Sequence, residues 1–243
     1  MKVVIAAAGK GTRMGELTKH QPKHVIPILG KPFIYYLVSH LREAGYLDIV
    51  VVTGYQSDKI DHFLAGYNHN IKTVNQFKVL GDKVYGTACP VKAAKSFIGN
   101  ENFILINGDA LISKRDLKAF DIDDDYCYLS SIESQKPEKY GVVISRGEYL
   151  ERIDEKPERP SSNLVNCGFY KLTPDIFSEL EKLEKSSRGE YEIVDAITSL
   201  AKQKKVKVKR IKDYWLDFGS PEDIDKVERF LTNKAAEKVY RLP

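Results

Sequence analysis

Cysteine is scarce. Cys89, Cys127 and Cys167 are three in 243 residues, an odd number with no C-x-x-C spacing. That pattern excludes a disulfide scaffold, a redox pair and a zinc knuckle, and it reads as reduced, mostly buried thiols. Long apolar runs are missing too, and none approaches the roughly 20 residues that a membrane span needs. Val3 to Ala8 is apolar but stops at Gly9 and Lys10, too short for the core of an export signal. Surplus charge is small: 38 Lys+Arg against 34 Asp+Glu leaves +4, which is no basic footprint for a nucleic acid. His20 and His24 lie four apart, but Pro22 between them argues against one helix presenting both to a metal. There is no internal repeat and no Gly/Ser linker. These absences predict a soluble, cytoplasmic protein with neither a nucleic-acid nor a membrane partner.

What is present is ordinary globular composition, 42% apolar and 30% charged, on a chain long enough to bury an ample core. Short apolar runs alternate with amphipathic stretches. Val3 to Ala7, Asp48 to Thr53 and Phe103 to Ile106 read as buried strands, and Ile71 to Val74 is strand-like. Phe33 to Ala44, closed by Gly45, Lys59 to Gly66 and Ala88 to Phe97 read as helices. Continuous apolar strands separated by helices predict a doubly wound, mostly parallel, Rossmann-like α/β sheet covered on both faces. After about Leu129 the pattern changes. Tyr140 to Ser145, Leu150 to Glu155 and Asn166 to Leu172 look like antiparallel or mixed strands. Pro174 to Lys185 and Tyr191 to Lys202 read as helices and Val206 to Ile211 as a strand. Lys205, Lys207 and Lys209 alternate outward there, as on a half-buried strand with a solvated face. A closing helix is expected over 221–243, with Ser220 as its N-cap and Pro221 at the first helical position. The expected organisation is one continuous domain over 1–243.

The strongest local feature is the loop Ala7-Ala8-Gly9-Lys10-Gly11-Thr12-Arg13-Met14-Gly15, directly after the first strand. Glycines there let backbone N–H groups curl around phosphate oxygens, and a basic residue adds charge-assisted bonds. No Gly-Lys-Ser/Thr closes it, so it is not a Walker A loop. Its glycines run G-x-G-x-x-x-G, one residue too long for a dinucleotide fingerprint. Further on, Pro22-Lys23-His24 and Pro27 to Pro32 place Arg13 and Lys23 on one proline-punctuated loop. Two fixed cations beside backbone donors suit a triphosphate.

The string AAGKGTRM-x-x-LT-x-x-x-PK-x-x-x-PI-x-GKP resembles the signature of the sugar-1-phosphate nucleotidylyltransferases, the nucleotide-sugar pyrophosphorylases. The resemblance extends along nearly the whole chain. Ile104 to Asp109 looks like the family's strand ending in a metal-binding aspartate. Tyr140-Gly141-Val142-Val143 and Glu155-Lys156-Pro157 resemble its sugar-phosphate segments, and Asn166, Gly168 and Tyr170 its sugar-side strand. Trp215 to Asp223 resembles its second metal aspartate and closing helix. The resemblance implies a nucleotide-diphospho-sugar transferase fold. In it, 1–128 is the nucleotide-binding half, 129–220 the sugar-phosphate-binding half and 221–243 the closing helix.

The implied reaction joins a nucleoside triphosphate to a sugar 1-phosphate and releases pyrophosphate. The resemblance gives Ala8, Gly9, Gly11, Thr12 and Arg13 to the triphosphate, with Arg13 and Lys23 stabilising phosphate charge. Asp109 and Asp217 would share one Mg²⁺, a hard cation suited to carboxylates and phosphate oxygens. Gln76, Gly86 and Thr87 would form the nucleotide pocket. Gly141, Glu155, Lys156 and Asn166 would hold the sugar phosphate. Gln76 lies ten residues before Gly86 rather than the family's usual five. Base identity therefore stays open, as does which residue of the 76–85 loop reads it. UTP with glucose 1-phosphate, giving UDP-glucose, is the leading pair, dTTP follows, and CTP or GTP enzymes are further alternatives. A reading from another class is a non-catalytic nucleotide-sensing subunit of the same fold, against which Arg13, Lys23, Asp109 and Asp217 are all present. No hexapeptide repeat follows the closing helix, so no acetyltransferase activity is expected. Feedback regulation and oligomeric state are open, and a homo-oligomer is compatible with the sequence.

Overall fold

Branched apolar residues set the centre of the sheet. β1 (Lys2–Ala7) leads through a kinked 3-10 segment at Thr12–Thr18 and a single turn at Lys23–Val25 into the two-residue ladder β2 (Pro27–Ile28) and β3 (Lys31–Pro32). Then follow α1 (Phe33–Glu43), β4 (Ile49–Thr53), α2 (Ser57–Tyr67), β5 (Lys72–Asn75), α3 (Gln76–Leu80), α4 (Cys89–Ala93) and α5 (Lys95–Ile98). The middle of the chain is β6 (Phe103–Asn107), β7 (Ala110–Ile112), α6 (Lys114–Lys118), β8 (Cys127–Glu133), β9 (Gly141–Arg146), β10 (Tyr149–Glu155) and β11 (Leu164–Leu172). It closes with α7 (Ile176–Glu181), α8 (Ile193–Lys202), β12 (Val206–Arg210), β13 (Trp215–Asp217) and α9 (Glu222–Tyr240). This is a computed structural model that describes residues 1–67 and 71–240, with side chains through residue 234.

A mixed sheet of nine strands runs β5-β4-β1-β6-β11-β8-β12-β10-β9. It is parallel from β5 to β6 and turns antiparallel at β11, with β8 and β12 a later parallel pair. Its residues alternate strictly between two cores. Val3, Ile5, Ile49, Val51, Ile104 and Ile106 face α1 on one side. Val4, Val50, Val52, Phe103 and Leu105 face α4 and α8 on the other. Each such fully buried side chain contributes about 1.5–3 kcal/mol of transfer free energy, so a strand covered on both faces needs an unbroken apolar run. The fold is the nucleotide-diphospho-sugar transferase type.

Several elements differ from the sequence reading. The Ala88–Phe97 helix breaks at Ala94 (φ −88°, ψ 4°) into α4 and α5. The helix expected over Pro174 to Lys185 is only Ile176–Glu181. β8 was not anticipated, because it carries two buried serines, Ser130 and Ser131, that disguise an interior strand. At the last helix Asp223 accepts the N–H groups of Gly219 and Ser220, both at 2.9 Å, and the Ser220 hydroxyl at 3.1 Å. The expected span 221–243 reaches 241–243, which lie outside the described residues.

α8 matters for the site because the segment before it lines the second cavity, and α7 braces it. The buried Glu179 carboxylate accepts from Ser199 Oγ at 2.6 Å, Lys182 Nζ at 2.9 Å and Gln203 Nε2 at 3.3 Å. The Ser199 bond first, then Lys182, push its pKa down to about 2. A carboxyl lowered from about 4.3 in the unfolded chain stabilises the fold above that pH. The stabilisation is lost as pH falls through about 2. Glu179→Gln should therefore lower the melting temperature at pH 7, with the gap to wild type narrowing steadily below pH 4. A gap that stays constant between pH 7 and pH 3 would contradict the assignment.

Candidate active site

Four parallel strands end at one place. β1 runs into Ala8 and Gly9, β5 into Gln76, and β6 into Asn107, Gly108 and Asp109, while Gly54 after β4 packs onto Ala8. Open α/β sheets bind ligands at this carboxyl edge. A cavity opens there between Ala8 and Gly9 and the Gln76–Pro90 segment, which includes Tyr85, and it reaches Lys23, His24, Asn107 and Asp109. Asn75 caps α3 by accepting from Phe77 N–H at 3.0 Å and Lys78 N–H at 3.1 Å, which fixes Gln76 at the cavity. Gln76 is 1% exposed, and neither polar atom of its amide has a hydrogen-bond partner among the described residues. Such an amide is costly unless a ligand completes it. The Gly86 loop is pinned by a close backbone approach. With φ +134°, a Cβ on Gly86 would lie 2.3 Å from the Tyr191 carbonyl oxygen. Beside it Thr87 donates to Glu192 at 3.0 Å and accepts the N–H of Ile193, the first residue of α8, at 2.9 Å.

Charge concentrates at the inner end of this cavity. Lys23, in the turn after Pro22, is 8% exposed and pairs with Asp109. Burial alone would raise the Asp109 pKa, but the Lys23 charge and hydrogen bond outweigh it and hold the carboxyl below its ordinary range. Asp217 reaches the same spot on the β13–β7 ladder, where it sits opposite Ala110, and Phe218 N–H donates to the Asp109 carbonyl at 2.8 Å. Phe218 stacks on Phe33 of α1, ring centroids 4.3 Å apart. Burial and the neighbouring Asp109 charge push the Asp217 carboxyl up to about 6, although Lys23 and Arg13 oppose it. The Arg13 guanidinium covers Gly219, where a Cβ would meet it at 3.3 Å. His24 is buried, and burial followed by the Lys23 charge drives its pKa down to about 3, leaving a neutral imidazole.

A second cavity joins the first at Thr87, Asn107, Asp109 and Glu190. Gly141 of β9 and Glu155 of β10 are register partners on its wall. Lys156 follows in a left-handed conformation (φ 45°), its N–H bonded to the Tyr140 carbonyl at 3.1 Å. Arg188 lies 2.8 Å from Glu192 and 3.9 Å from Glu155, and Lys156 3.8 Å from Glu155. Tyr140 and Trp215 meet edge to face, centroids 5.2 Å apart. Asn166 braces β11, accepting Gly168 N–H at 3.0 Å and donating to the Tyr170 hydroxyl at 2.6 Å.

Of the residues singled out in the sequence, Ala8, Gly9, Lys23, Gln76, Gly86, Thr87 and Asp109 line the first cavity. Arg13, Gly141, Glu155, Lys156, Asn166 and Asp217 line the second, with Thr87 and Asp109 common to both. Gly11 and Thr12 line neither. Thr12 faces a shallow cleft with Lys10, Thr18 and Tyr55, and Gly11 accepts the Thr18 hydroxyl at 3.0 Å. Sequence reasoning overlooked Asn107, His24, Tyr85, Arg188 and Glu190. Asn107 and His24 adjoin residues already chosen, whereas Arg188 and Glu190 sit in a polar stretch without a motif. Among the described residues no group of three or more His, Cys, Asp or Glu could hold a metal, and no helix is long and apolar enough to cross a membrane.

Comparison with known proteins shows the family and the fold. The nucleotidyl transferase family model matches residues 2–234. The bifunctional protein GlmU of Methanocaldococcus jannaschii is 38% identical over 237 residues, 96% of this chain and 55% of that protein. A bifunctional sugar-1-phosphate nucleotidylyltransferase/acetyltransferase of Sulfurisphaera tokodaii is 37% identical over 95% of this chain and 55% of its own. The chain thus spans about half the length of these relatives. Among solved structures, a glucose-1-phosphate thymidylyltransferase described as putative, from Bacillus anthracis, superposes with TM-score 0.82 at 26% identity, covering 95% of this chain and 94% of that one. A UDP-glucose pyrophosphorylase complexed with UDP-glucose gives TM-score 0.80 at 26% identity, covering 96% and 98%. The chain belongs to the nucleotidyl transferase family.

Proposed function

We propose that the chain is a sugar-1-phosphate nucleotidylyltransferase, making a nucleotide-sugar and pyrophosphate from a nucleoside triphosphate and a sugar 1-phosphate. The observation that carries this reading is the seam at which two cavities meet, with Lys23, Arg13, Asp109 and Asp217 around it. In this reading residues 1–128 bind nucleotide, 129–220 bind sugar phosphate and 221–243 close the domain. An oxygen of the sugar phosphate attacks the α-phosphorus. The new P–O bond forms as the bond to the β-phosphate oxygen breaks, and its electron pair leaves with pyrophosphate. A phosphate monoester, with a second pKa near about 6, is already a dianion at neutral pH and needs no general base. The protein's task is then positioning and charge neutralisation.

Each residue acts through its charge or its hydrogen bonds. Gly9 and the loop after it present backbone N–H groups to the triphosphate, Arg13 neutralises the departing pyrophosphate, and Lys23 the α-phosphate. Gln76 offers one donor and one acceptor, which match the N3–H and a carbonyl oxygen common to uracil and thymine. Lys156 anchors the sugar phosphate, and Glu155 takes sugar hydroxyls. Asp109 and Asp217 fit a divalent cation. They are two half-buried carboxylates, and burial followed by the charge of Asp109 lifts Asp217 to about 6. Magnesium commonly takes one or two carboxylates plus substrate phosphates. The bound ion supplies further neutralisation of phosphate charge.

UTP with glucose 1-phosphate is the leading pair, since Ser162 to Phe177 resembles the glucose-1-phosphate uridylyltransferases, and dTTP is second. Steady-state kcat/KM across UTP, dTTP, CTP and GTP, with glucose 1-phosphate and its 2-acetamido counterpart, tests this. A preference for dTTP, CTP or GTP removes the leading pair, and no pyrophosphate release with any pair removes the enzymatic reading. Asp109→Asn should lower metal-dependent kcat by about 100-fold or more, and it should also lower the melting temperature, because it leaves the buried Lys23 ammonium without its carboxylate. Near-normal kcat would falsify the metal assignment. Lys156→Ala should raise KM for the sugar phosphate about tenfold or more with the triphosphate KM changed less than about twofold. Equal rises in both would move Lys156 out of the sugar-phosphate site.

A further inference from the structure

The loop that leaves β1 and the segment that leads into α4 meet at one side chain. Tyr85, half-buried, lines the first cavity between them, and its hydroxyl accepts the N–H of Lys10 at 3.4 Å. The Lys10 ammonium lies over the Tyr85 ring, 6.0 Å from its centroid. A Cβ on Gly9 would touch the same hydroxyl at 3.9 Å. The N–H groups of Gly11 and Thr12, by contrast, meet no acceptor among the described residues. One backbone donor of the glycine loop is therefore held by a side chain from across the cavity, while two of its neighbours stay open.

The two ends of Tyr85 are held very differently. Its carbonyl accepts the N–H of Tyr191 at 3.0 Å, and Ala88 N–H donates to the Tyr191 carbonyl at 2.9 Å. The backbone at the root of the phenol is thus tied to the second half of the chain. The tip has one long hydrogen bond and one cation–π contact at the limit of its range. An N–H bond to an ionised oxygen is shorter than one to a neutral oxygen and roughly twice as strong. A phosphate oxygen that reaches Lys10 therefore takes the N–H from the phenol. Rotation about the side-chain torsions of Tyr85 clears the ring with no change in the backbone.

We infer that Tyr85 is a latch on the triphosphate subsite: its hydroxyl holds the Lys10 N–H in the position of a phosphate oxygen, and triphosphate binding displaces it. This goes beyond the reading of the glycine loop as the triphosphate site and rests on it. The two acceptors exclude each other, because one N–H cannot serve both at full strength. The phenol therefore weakens triphosphate binding by the free energy of the bond that must first be broken. A nucleoside entering beside Gln76 does not need this N–H and leaves the latch closed. Tyr85 thus acts against the phosphate chain and not against the base, which lowers the hold of the loop on triphosphate while keeping the loop in place between turnovers.

Calorimetric titration of wild type and Tyr85→Phe with UTP, inorganic triphosphate and uridine, each with Mg²⁺ present, tests this. The variant keeps the ring over Lys10 and loses the hydroxyl alone. UTP and inorganic triphosphate should bind Tyr85→Phe about 2- to 10-fold more tightly than wild type, which is the worth of one hydrogen bond. Uridine affinity should change by less than about 1.5-fold, since a nucleoside does not compete for the Lys10 N–H. The sign separates a latch from a brace. A phenol that merely supports the loop would leave the variant binding phosphates more weakly. No gain with inorganic triphosphate, or a gain with uridine equal to that with UTP, overturns the inference. If neither UTP nor inorganic triphosphate binds wild type, the reading of the glycine loop fails, and the latch with it.

Discussion

The ion pair between Lys23 and Asp109 is the interaction on which the site depends. Withdrawing an ammonium from water costs several kcal/mol unless an opposite charge meets it. The turn after Pro22 can lie across the strand ends only because β6 delivers a carboxylate there. The pair in turn fixes what surrounds it. One of the two aspartates is matched by an ammonium and stays ionised, whereas the second is in excess and holds its proton to unusually high pH. An anion arriving at Lys23 and a cation arriving at the carboxylates would each replace a partner already in position. The electrostatics are thus prepared before a ligand enters.

The second half of the chain is positioned by β11. It is the strand at which the sheet changes from parallel to antiparallel, and it touches β6 on one side and β8 and β9 on the other. The β13–β7 ladder ties the carboxylate near the C-terminal end of the chain to the one after β6, and Phe218 on Phe33 locks that ladder to α1. Residues far apart in sequence therefore share a few ångströms of space through three separate pairings.

Much of this was visible in the sequence, for identifiable reasons. β1, β4 and β6 are buried on both faces, so each appears as an unbroken apolar run. The glycine loop, Lys23 and Asp109 stand beside such strands, where backbone geometry ties position in sequence to position in space. Gln76 was singled out despite its unusual distance from Gly86, and the short helix α3 accounts for the extra residues. β8 was missed because Ser130 and Ser131 are buried between two other strands, which hides the apolar signature. Arg188 and Glu190 were missed because they reach the cavity through the long-range contact between Gly86 and Tyr191, which no local pattern reports. Asn107 went unremarked because an asparagine after an apolar strand is indistinguishable in sequence from a turn residue.

The position of β1 bears on how the chain is assembled. Val4 pairs with Val50 on one side and with Leu105 on the other. During synthesis, which proceeds from the N-terminus, β1 finds β4 first and keeps its other edge unpaired until β6 emerges. An open edge of Val, Val and Ile is a template for pairing with another chain. The strand from which the glycine loop springs is therefore also the one most exposed to mispairing while the protein is half made, and chaperone demand should be greatest in that interval.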